Sequence, residues 1–464
     1  MKTIHITKGL DLQLAGAPDQ SAAVEKKDAR LVAHTGVDYV GMKPTICVEV
    51  GERVLAGQLL FMDKKNPGVK FTSPGAGVVK AINRGDKRAF QSIIVEADEG
   101  EAGYKSVEFP TCKESELNDL CPTTIRQRLI DSGLWIALRT RPFSRVPKVD
   151  SFPAAIFVNA AETNPHAPDP QPIVEARSQD FVNGLRVLSR ICGASPEGQK
   201  LWICVGATKY SDDYVKTLEA IPHAEVVQFT GKHPAGLSGT HIAKLTPCAL
   251  SRVVWTIGYQ DVLAIGTLFT KGVVDVERII SVSGPMVKKP RLIRVQQGAC
   301  LFELFKDELK DGEARMISGG VLNGRTAVKG FAGLGRYVNQ ITAIEDGDPR
   351  ELFAWTLPGF RKFSASRAVA STFLGGVFNM TTALHGGPRA VFPNPAFDKI
   401  MPLDVEPTFL FKALEVGDID KCEQLGAFEL DEEDLALCTL VDYGKNDYGK
   451  TLRALLDKAM KEEE

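Results

Sequence analysis

Residues 134–193 constrain the fold more than any other stretch, because three kinds of local order follow one another without a gap. The run AAIFV ending at Val158 is short, apolar and suited to a buried strand. It stops at Asn159-Ala160-Ala161-Glu162, and Pro165, Pro168, Pro170 and Pro172 then forbid regular structure. From Ile173 the period becomes helical, with Val174, Phe181, Leu185 and Leu188 on one face and Gly193 as the stop. Strand, polar elbow and helix make one α/β unit, and ligands of such units bind where strand ends meet loops.

The same alternation continues downstream. A strand is expected at 200–206, a helix at 212–220 and a strand at 224–229, which predicts a mostly parallel sheet reaching to about Gly258. Upstream, residues 37–97 hold short Val/Ile/Leu runs separated by Gly51, Gly57, Gly68, Gly75, Gly77 and Gly85, the mark of a small sandwich or barrel. An acidic connector, 98–125, leads to a helical stripe at 117–129. Residues 262–330 read as short strands around one helix, GACLFELFKDEL, and the chain is expected to be mainly helical from Trp355. With roughly 100–200 residues per domain, 464 residues allow about three domains.

Composition excludes several classes. A net charge of −2 lacks the basic surplus of a nucleic-acid binder. The nine cysteines are scattered, odd in number and never spaced C-x-x-C, which argues against a disulfide framework, structural zinc or an iron–sulfur centre. The seven histidines form no H-x-x-x-H or H-E-x-x-H pattern, so no metal site is expected. No G-x-G-x-x-G, Walker or G-x-S-x-G motif is present, and the glycine clusters at 319–324, 333–335 and 375–376 read as turns. MKTIHITKGLDL lacks the apolar core of an export signal. The most apolar run, 253–269, carries Gln260 and Asp261 at its centre, where a spanning helix would lose about 2.5–3.5 kcal/mol for the aspartate.

Two places attract a functional reading. Glu162 stands at a strand's C-terminal end, where it either faces a ligand or merely orients the loop. Arg139, Arg141 and Arg145 surround Pro142-Phe143, as an anion or partner site or as a solvated loop.

The segment FVNAAETNPHAPDPQPIVEARSQDFVNGLRVLSRICG resembles the N-[GA]-A-E-x-x-P…G-L-R region of the complex I flavoprotein and of the C subunit of the Rnf complex. Residues 230–236 resemble their Y-P-x-G loop, and VERIISVSGPMVKKPRLIRVQQGACLFELF is similar to their soluble-ligand-binding β-grasp domain. VEVGERVLAGQLL with SPGAGVV resembles the biotinyl/lipoyl-carrier fold, with Lys64 and Lys65 near the carrier lysine but without its M-K-M flank, so a solvated turn is the expectation there. KGLDLQLAGAP, VGMKPTICVEVGERV, DKKNPGVKFTSPGAGVV and LRTRPFSRVP together resemble the A-subunit family of the bacterial sodium-translocating NADH:quinone oxidoreductases, over essentially the whole chain.

That resemblance implies a multidomain α/β plus β architecture. Its parts are a biotinyl/lipoyl-like β domain at 1–100 and a Rossmann-like α/β domain at 101–258. A β-grasp domain follows at 259–330 and a mainly helical region at 331–464. It also implies a peripheral subunit on the cytoplasmic side of the bacterial inner membrane, with a part in ubiquinone reduction coupled to Na⁺ export. The partners would be the B, C, D, E and F subunits, most directly the membrane-embedded B subunit. Membrane contact would come only through them, and the isolated chain would have no quinone reductase activity. FMN, FAD, riboflavin and iron–sulfur centres would sit in the partners. This chain departs from its wider relatives where they hold cofactors. Their glycine-rich R-G-G-A-G-F-P-T flavin loop is Arg139-Thr140-Arg141-Pro142-Phe143-Ser144-Arg145 here, whose side chains are expected to fill the flavin space. Of their last cysteine run only Cys438 remains. The expectation is therefore no flavin or iron–sulfur cluster in this chain, and Arg139, Arg141, Phe143 and Glu162 as residues facing quinone or a partner protein. A scaffold that never touches quinone is the alternative, and a free-standing flavoprotein a third reading.

Overall fold

The computed structural model describes residues 1–194, 199–207, 210–328, 332–347 and 356–463. Its centre is a six-stranded sheet: β1 (Lys2–Ile6), β2 (Arg139–Arg141), β3 (Ala155–Ala160), β4 (Lys200–Val205), β5 (Ala224–Gly231) and β6 (Val254–Gly258), in the order β1-β5-β4-β3-β6-β2. All neighbours are parallel except β2 and β6. Parallel strands covered on both faces need apolar residues on both, and β3 supplies them. Ile156 and Val158 enter one core, while Ala155 and Phe157 enter another with Trp202 and Phe229.

Five helices cover this sheet: α1 (Pro170–Ala176), α2 (Ser178–Gly193), α3 (Asp212–Glu219), α4 (Ser238–Leu245) and α5 (Tyr259–Lys271). The helix expected from Ile173 is broken at Arg177 into α1 and α2. The apolar run at 253–269 is a buried strand and a buried helix joined at Gly258. Helices α2 and α5 cross closely because Gly266 has no side chain. A Cβ there would lie 1.9 Å from the Asp180 carbonyl oxygen.

Three strands pair outside the units expected to hold them. Lys2–Ile6 belongs to the central sheet and Glu25–Lys26 pairs with Arg291–Gln296, so the first residues of the expected 1–100 unit strap two other parts of the chain. The β unit proper begins at Leu31 and consists of a four-stranded and a three-stranded sheet around Leu60, Phe61, Phe71, Val79 and Val95. The mixed sheet after α5 runs from β7 (Glu277–Ser283) to β11 (Gln340–Glu345), beyond the expected end at 330. Strand β11 lies between β7 and Ala314–Ser318 and cannot be left out of the sheet.

Trp355, the expected start of helix, lies outside the described residues. From 356 to 394 the described chain is mostly irregular, with one short α-helix, Ser371–Leu374. Glycine, proline and β-branched residues there offer no 3.6 period long enough to nucleate. Helical packing begins at Pro395–Ile400 and continues to Tyr448–Glu463. Its core centres on Phe411 stacked against Tyr448 at 3.8 Å, with Phe397 edge-on.

Central and mixed sheets are joined by a buried charge cluster. Asp261, in the first turn of α5, bonds Arg336 Nη2 at 2.8 Å and Nη1 at 3.1 Å, and also pairs with Arg278 of β7. Burial raises the Asp261 carboxyl pKa, but the two guanidinium groups more than offset this and hold it below the usual range. Asp261→Ala would leave two buried arginines unpaired. It is expected to lower the unfolding free energy by about 3–5 kcal/mol, and denaturant titration of the full chain checks this.

Candidate functional site

Strand β2 and the loop behind it, residues 139–152, organise two cavities. The loop is pinned from three sides. Arg126 Nη1 donates to the carbonyls of Val149 (3.1 Å) and Ser151 (2.7 Å), Trp135 Nε1 to Pro147 (2.9 Å), and Asn66 Nδ2 to Val146 and Pro147 (3.1 and 3.0 Å). Phe143 and Ser144 both have positive φ, 75° and 54°. Such backbone costs about 1–3 kcal/mol per residue, and the anchors that hold it come from the C-terminal helices. Arg453 donates to the Phe143 carbonyl (3.1 Å), and Ser144 Oγ pairs with Asp431.

Arg141 is 1% exposed and serves as the clamp of this joint. Its guanidinium meets Asp434 (2.9 Å), Glu433 (3.0 Å) and Asp431 (3.2 Å), all in or beside the turn Glu432–Leu435. Asp431 is held well below the usual carboxylate range: burial opposes this, and Arg141 with a hydrogen bond to Glu432 overcomes it. Glu433 goes the other way, raised to about 7 by burial that Arg141 only partly offsets.

The first cavity, about 130 Å³, lies over the C-terminal ends of β3 and β6. Arg139, Glu162, Asp261, Arg278, Arg336 and Glu433 give it a charged lining. Arg139 stacks on Tyr337, 4.6 Å from the ring centroid. Glu162 Oε1 accepts from the backbone N–H groups of Thr163 (2.8 Å) and Asn164 (2.7 Å) and from Asn164 Nδ2 (2.9 Å), so this carboxylate orients its own loop. Burial raises its pKa despite those donors. The 230–236 loop closes one side: Thr163 Oγ1 accepts from Gly236 N (2.9 Å) and lies 3.1 Å from His233 Nδ1.

The second cavity, about 460 Å³, lies on the other side of β2, between the β unit, the 139–152 loop and the last helix. Tyr39, Met42, Phe143, Phe152, Trp255 and Met460 form its apolar wall, and Lys65, Arg145 and Lys148 also line it. The donors on this wall are mostly committed. His34 Nε2 donates to the Thr72 carbonyl (2.7 Å), which leaves Nδ1 to accept from the Tyr39 hydroxyl (2.6 Å). Burial lowers the His34 pKa to about 4, so the ring is neutral. The buried Nε1 of Trp255 has no partner among the described residues.

Only two of the four residues singled out from sequence come together. Arg139 and Glu162 share the polar cavity, Phe143 lines the apolar one, and Arg141 lines neither. The Arg141 side chain turns to the C-terminal acids, where three carboxylates meet it. Sequence reasoning missed Trp255, Phe152, Tyr39, Met42 and Met460, which share no local pattern, and Arg278 and Arg336. The signal for the last two was Asp261, a carboxylate inside the most apolar run, which required cations from elsewhere. Lys64 and Lys65 sit in a closed turn. Lys64 N donates to the Lys43 carbonyl (2.7 Å) and Lys65 N to Asp63 Oδ1 (2.9 Å).

Residues 120–274 match the NqrA second alpha/beta domain, 4–98 the NqrA N-terminal barrel-sandwich hybrid domain and 279–329 the NQRA C-terminal domain. The chain is 48% identical to the A subunit of the Na(+)-translocating NADH-quinone reductase of Histophilus somni strain 129Pt, over 99% of this chain and 100% of that protein. It is 48% identical to the Pasteurella multocida Pm70 protein of the same name and 46% to that of Haemophilus influenzae Rd, each over 99% of this chain and 100% of the relative. The chain belongs to this NqrA family. A solved structure, NAD+-reducing [NiFe]-hydrogenase in the H2-reduced state, aligns at TM-score 0.37 and 12% identity over 78% of this chain and 68% of that one, too low to carry any argument.

In this member of the NqrA family residues 139–145, which the resemblance sets beside a glycine-rich flavin loop, carry no glycine and are built as strand and turn. Arg139–Arg141 pairs as a strand with Val254–Thr256, and Thr140 N and Arg145 N are bonded within the loop, to the Arg145 carbonyl (2.7 Å) and Thr140 Oγ1 (3.2 Å). The ladder and these two bonds take up the backbone of Arg139–Arg141 and Arg145, and Pro142 has no N–H. Among the described residues no group of three or more His, Cys, Asp or Glu is placed to hold a metal ion. The purified chain is expected to show no stoichiometric flavin band in its visible spectrum, and such a band would overturn the assignment of this loop.

A pH effect follows from Glu433. Its pKa is 4.5 ordinarily and about 7 when folded. Between those values the native state binds the extra proton, so this residue's contribution to stability falls as pH rises. Glu433→Gln, which mimics the protonated acid, should gain in thermal midpoint relative to wild type as pH is raised through that window.

Proposed function

We propose that this chain works as the peripheral A subunit of a Na⁺-translocating NADH:ubiquinone oxidoreductase. In this reading it sits on the cytoplasmic side of the bacterial inner membrane, contacts the membrane-embedded B subunit most directly, and takes part in the ubiquinone-reduction step that is coupled to Na⁺ export. The C, D, E and F subunits complete the assembly, and the flavins and iron–sulfur centres belong to the partners. No described helix is long and apolar enough to cross a membrane, which supports a peripheral position.

The observation that carries the quinone reading is the 460 Å³ cavity walled by Tyr39, Met42, Phe143, Phe152, Trp255 and Met460. Small-molecule sites span about 300–1,000 Å³ and pair apolar walls with few polar groups. The polar cavity is smaller than that range and lined by charge. A quinone ring is flat and apolar with a carbonyl acceptor at each end. Phe143, Phe152, Met42 and the Trp255 ring offer it packing surface. Tyr39 bonds His34, so its hydroxyl shapes the wall without being spare. Phe143 thus has a direct role, whereas Arg139 and Glu162 act at the neighbouring cavity and Arg141 positions the loop.

The second reading, a scaffold that never touches quinone, has its own support in the extent of buried ion pairing between the parts of the chain. Photolabelling of the whole complex with a quinone analogue separates them. Competable label on residues 39–42, 143–152 or 255 is expected, and label confined to the membrane-embedded partners would leave the scaffold reading standing. In the same complex Trp255→Phe trims the aromatic wall. It should raise the KM for quinone about 3–10-fold, for the packing surface lost, with NADH oxidation by artificial acceptors unchanged.

A further inference from the structure

We propose that residues 357–392 form a direct contact surface for anionic phospholipid headgroups. The inference is independent of the quinone reading and revises the expectation that only partner proteins bring this chain to the membrane.

Exposed apolar side chains are concentrated in this segment. Seven of the eighteen exposed large hydrophobic residues among those described lie within it: Leu357, Phe360, Phe373, Leu374, Val377, Leu384 and Phe392. Phe373 and Leu374 are each 71% exposed, Val377 69% and Phe360 62%. Large apolar side chains gathered on a surface in this way mark an interaction site, whereas scattered ones need no explanation.

The segment is nevertheless folded, so these side chains are outward by construction. Ala370 N donates to the Pro358 carbonyl (2.8 Å) and Ser371 Oγ bonds the Lys362 carbonyl, which ties residues 358–362 to 370–371. Phe363 packs edge-on against Phe378, 5.8 Å between centroids. Phe378 is buried and exchanges backbone hydrogen bonds with segment 13–15, donating to the Gln13 carbonyl (2.8 Å) and accepting from Ala15 N (2.9 Å). The knot is thus anchored by Phe363 and Phe378, with Phe360, Phe373, Leu374 and Val377 left pointing to solvent.

Charge decides what it meets. Acidic residues number 58 in the 464, yet none occurs from 356 to 397, where Arg361, Lys362, Arg367 and Arg389 all lie. Arg361, Arg367 and Arg389 are exposed. A protein partner is normally met by charges of both signs, whereas apolar side chains interleaved with cations alone match the boundary between acyl chains and anionic headgroups. Each arginine near such a surface contributes about fivefold in binding, from about 1 kcal/mol, and the attraction weakens with salt.

The test is co-sedimentation of the full chain with vesicles of phosphatidylglycerol and phosphatidylethanolamine, against vesicles of phosphatidylcholine alone. Binding to the anionic vesicles is expected, weakened by salt and much weaker on the neutral ones. Arg361→Glu with Arg367→Glu should reduce it about 25-fold or more, and Phe373→Ser with Leu374→Ser should abolish it. All four positions are exposed, and unchanged thermal midpoints would show that the variants fold. No sedimentation with anionic vesicles, or equal sedimentation of wild type and variants, overturns the proposal. If vesicle binding is absent but the Phe373→Ser, Leu374→Ser chain fails to assemble with its membrane partners, the surface belongs to a protein, and the lipid assignment falls.

Discussion

Removing a guanidinium from water costs several kcal/mol unless carboxylates surround it, and this chain does so at two joints. Arg336 and Arg278 close on Asp261 where the central and mixed sheets meet. Arg141 closes on Asp431, Glu433 and Asp434 where the central sheet meets the C-terminal helices. Arg336 and Arg141 reach acids 75 and 293 residues away, so neither side is stable buried alone. Apolar burial alone tolerates sliding between parts, because it has no direction. A buried ion cluster does not, and it fixes the relative placement of the walls that line both cavities.

This clamp also accounts for what became of the 139–145 loop. A glycine-rich loop would present backbone N–H groups to a ligand. Here strand pairing with β6 and the internal bonds of Thr140 and Arg145 occupy both ends of the loop, and Arg141 reaches through to the helices. The consequence falls on both sides of β2. Above the strand ends only a small charged cavity remains, held open by Glu162 bonding its own loop. Behind β2 the same loop, pinned by Arg126, Trp135 and Asn66, forms one wall of the larger apolar cavity.

The strand at 155–160, the helix ending at Gly193 and the strands at 200–205 and 224–231 were legible because each carries its own period and its own stop. Glu162 was legible as a position but not as a role, since the bonds that orient it come from the two residues after it. Strands Lys2–Ile6 and Gln340–Glu345 escaped their assigned units because sheet membership is decided by partners hundreds of residues or a whole domain away. Of the cavity lined by Tyr39, Phe143, Trp255 and Met460, the sequence pointed only to Phe143. Each of these is an ordinary apolar residue in its own segment, and the pairing of distant segments makes the site.

Residues 356–394 were expected to be mainly helical and are not, for a different reason. Helical expectation rests on an apolar face that a neighbouring element will cover, and here the apolar residues are not covered by the chain itself. Phe363 and Phe378 satisfy the fold, and the remaining aromatics and aliphatics obey no internal period because no internal surface selects them. Their spacing is set by what lies outside the molecule. The all-cationic charge pattern belongs to the same selection, since acidic residues would cost nothing to the fold in so exposed a segment. A stretch that fails every test of intramolecular order, yet keeps one sign of charge and a high share of large apolar side chains, is being shaped by an environment that is itself apolar and negatively charged at its edge.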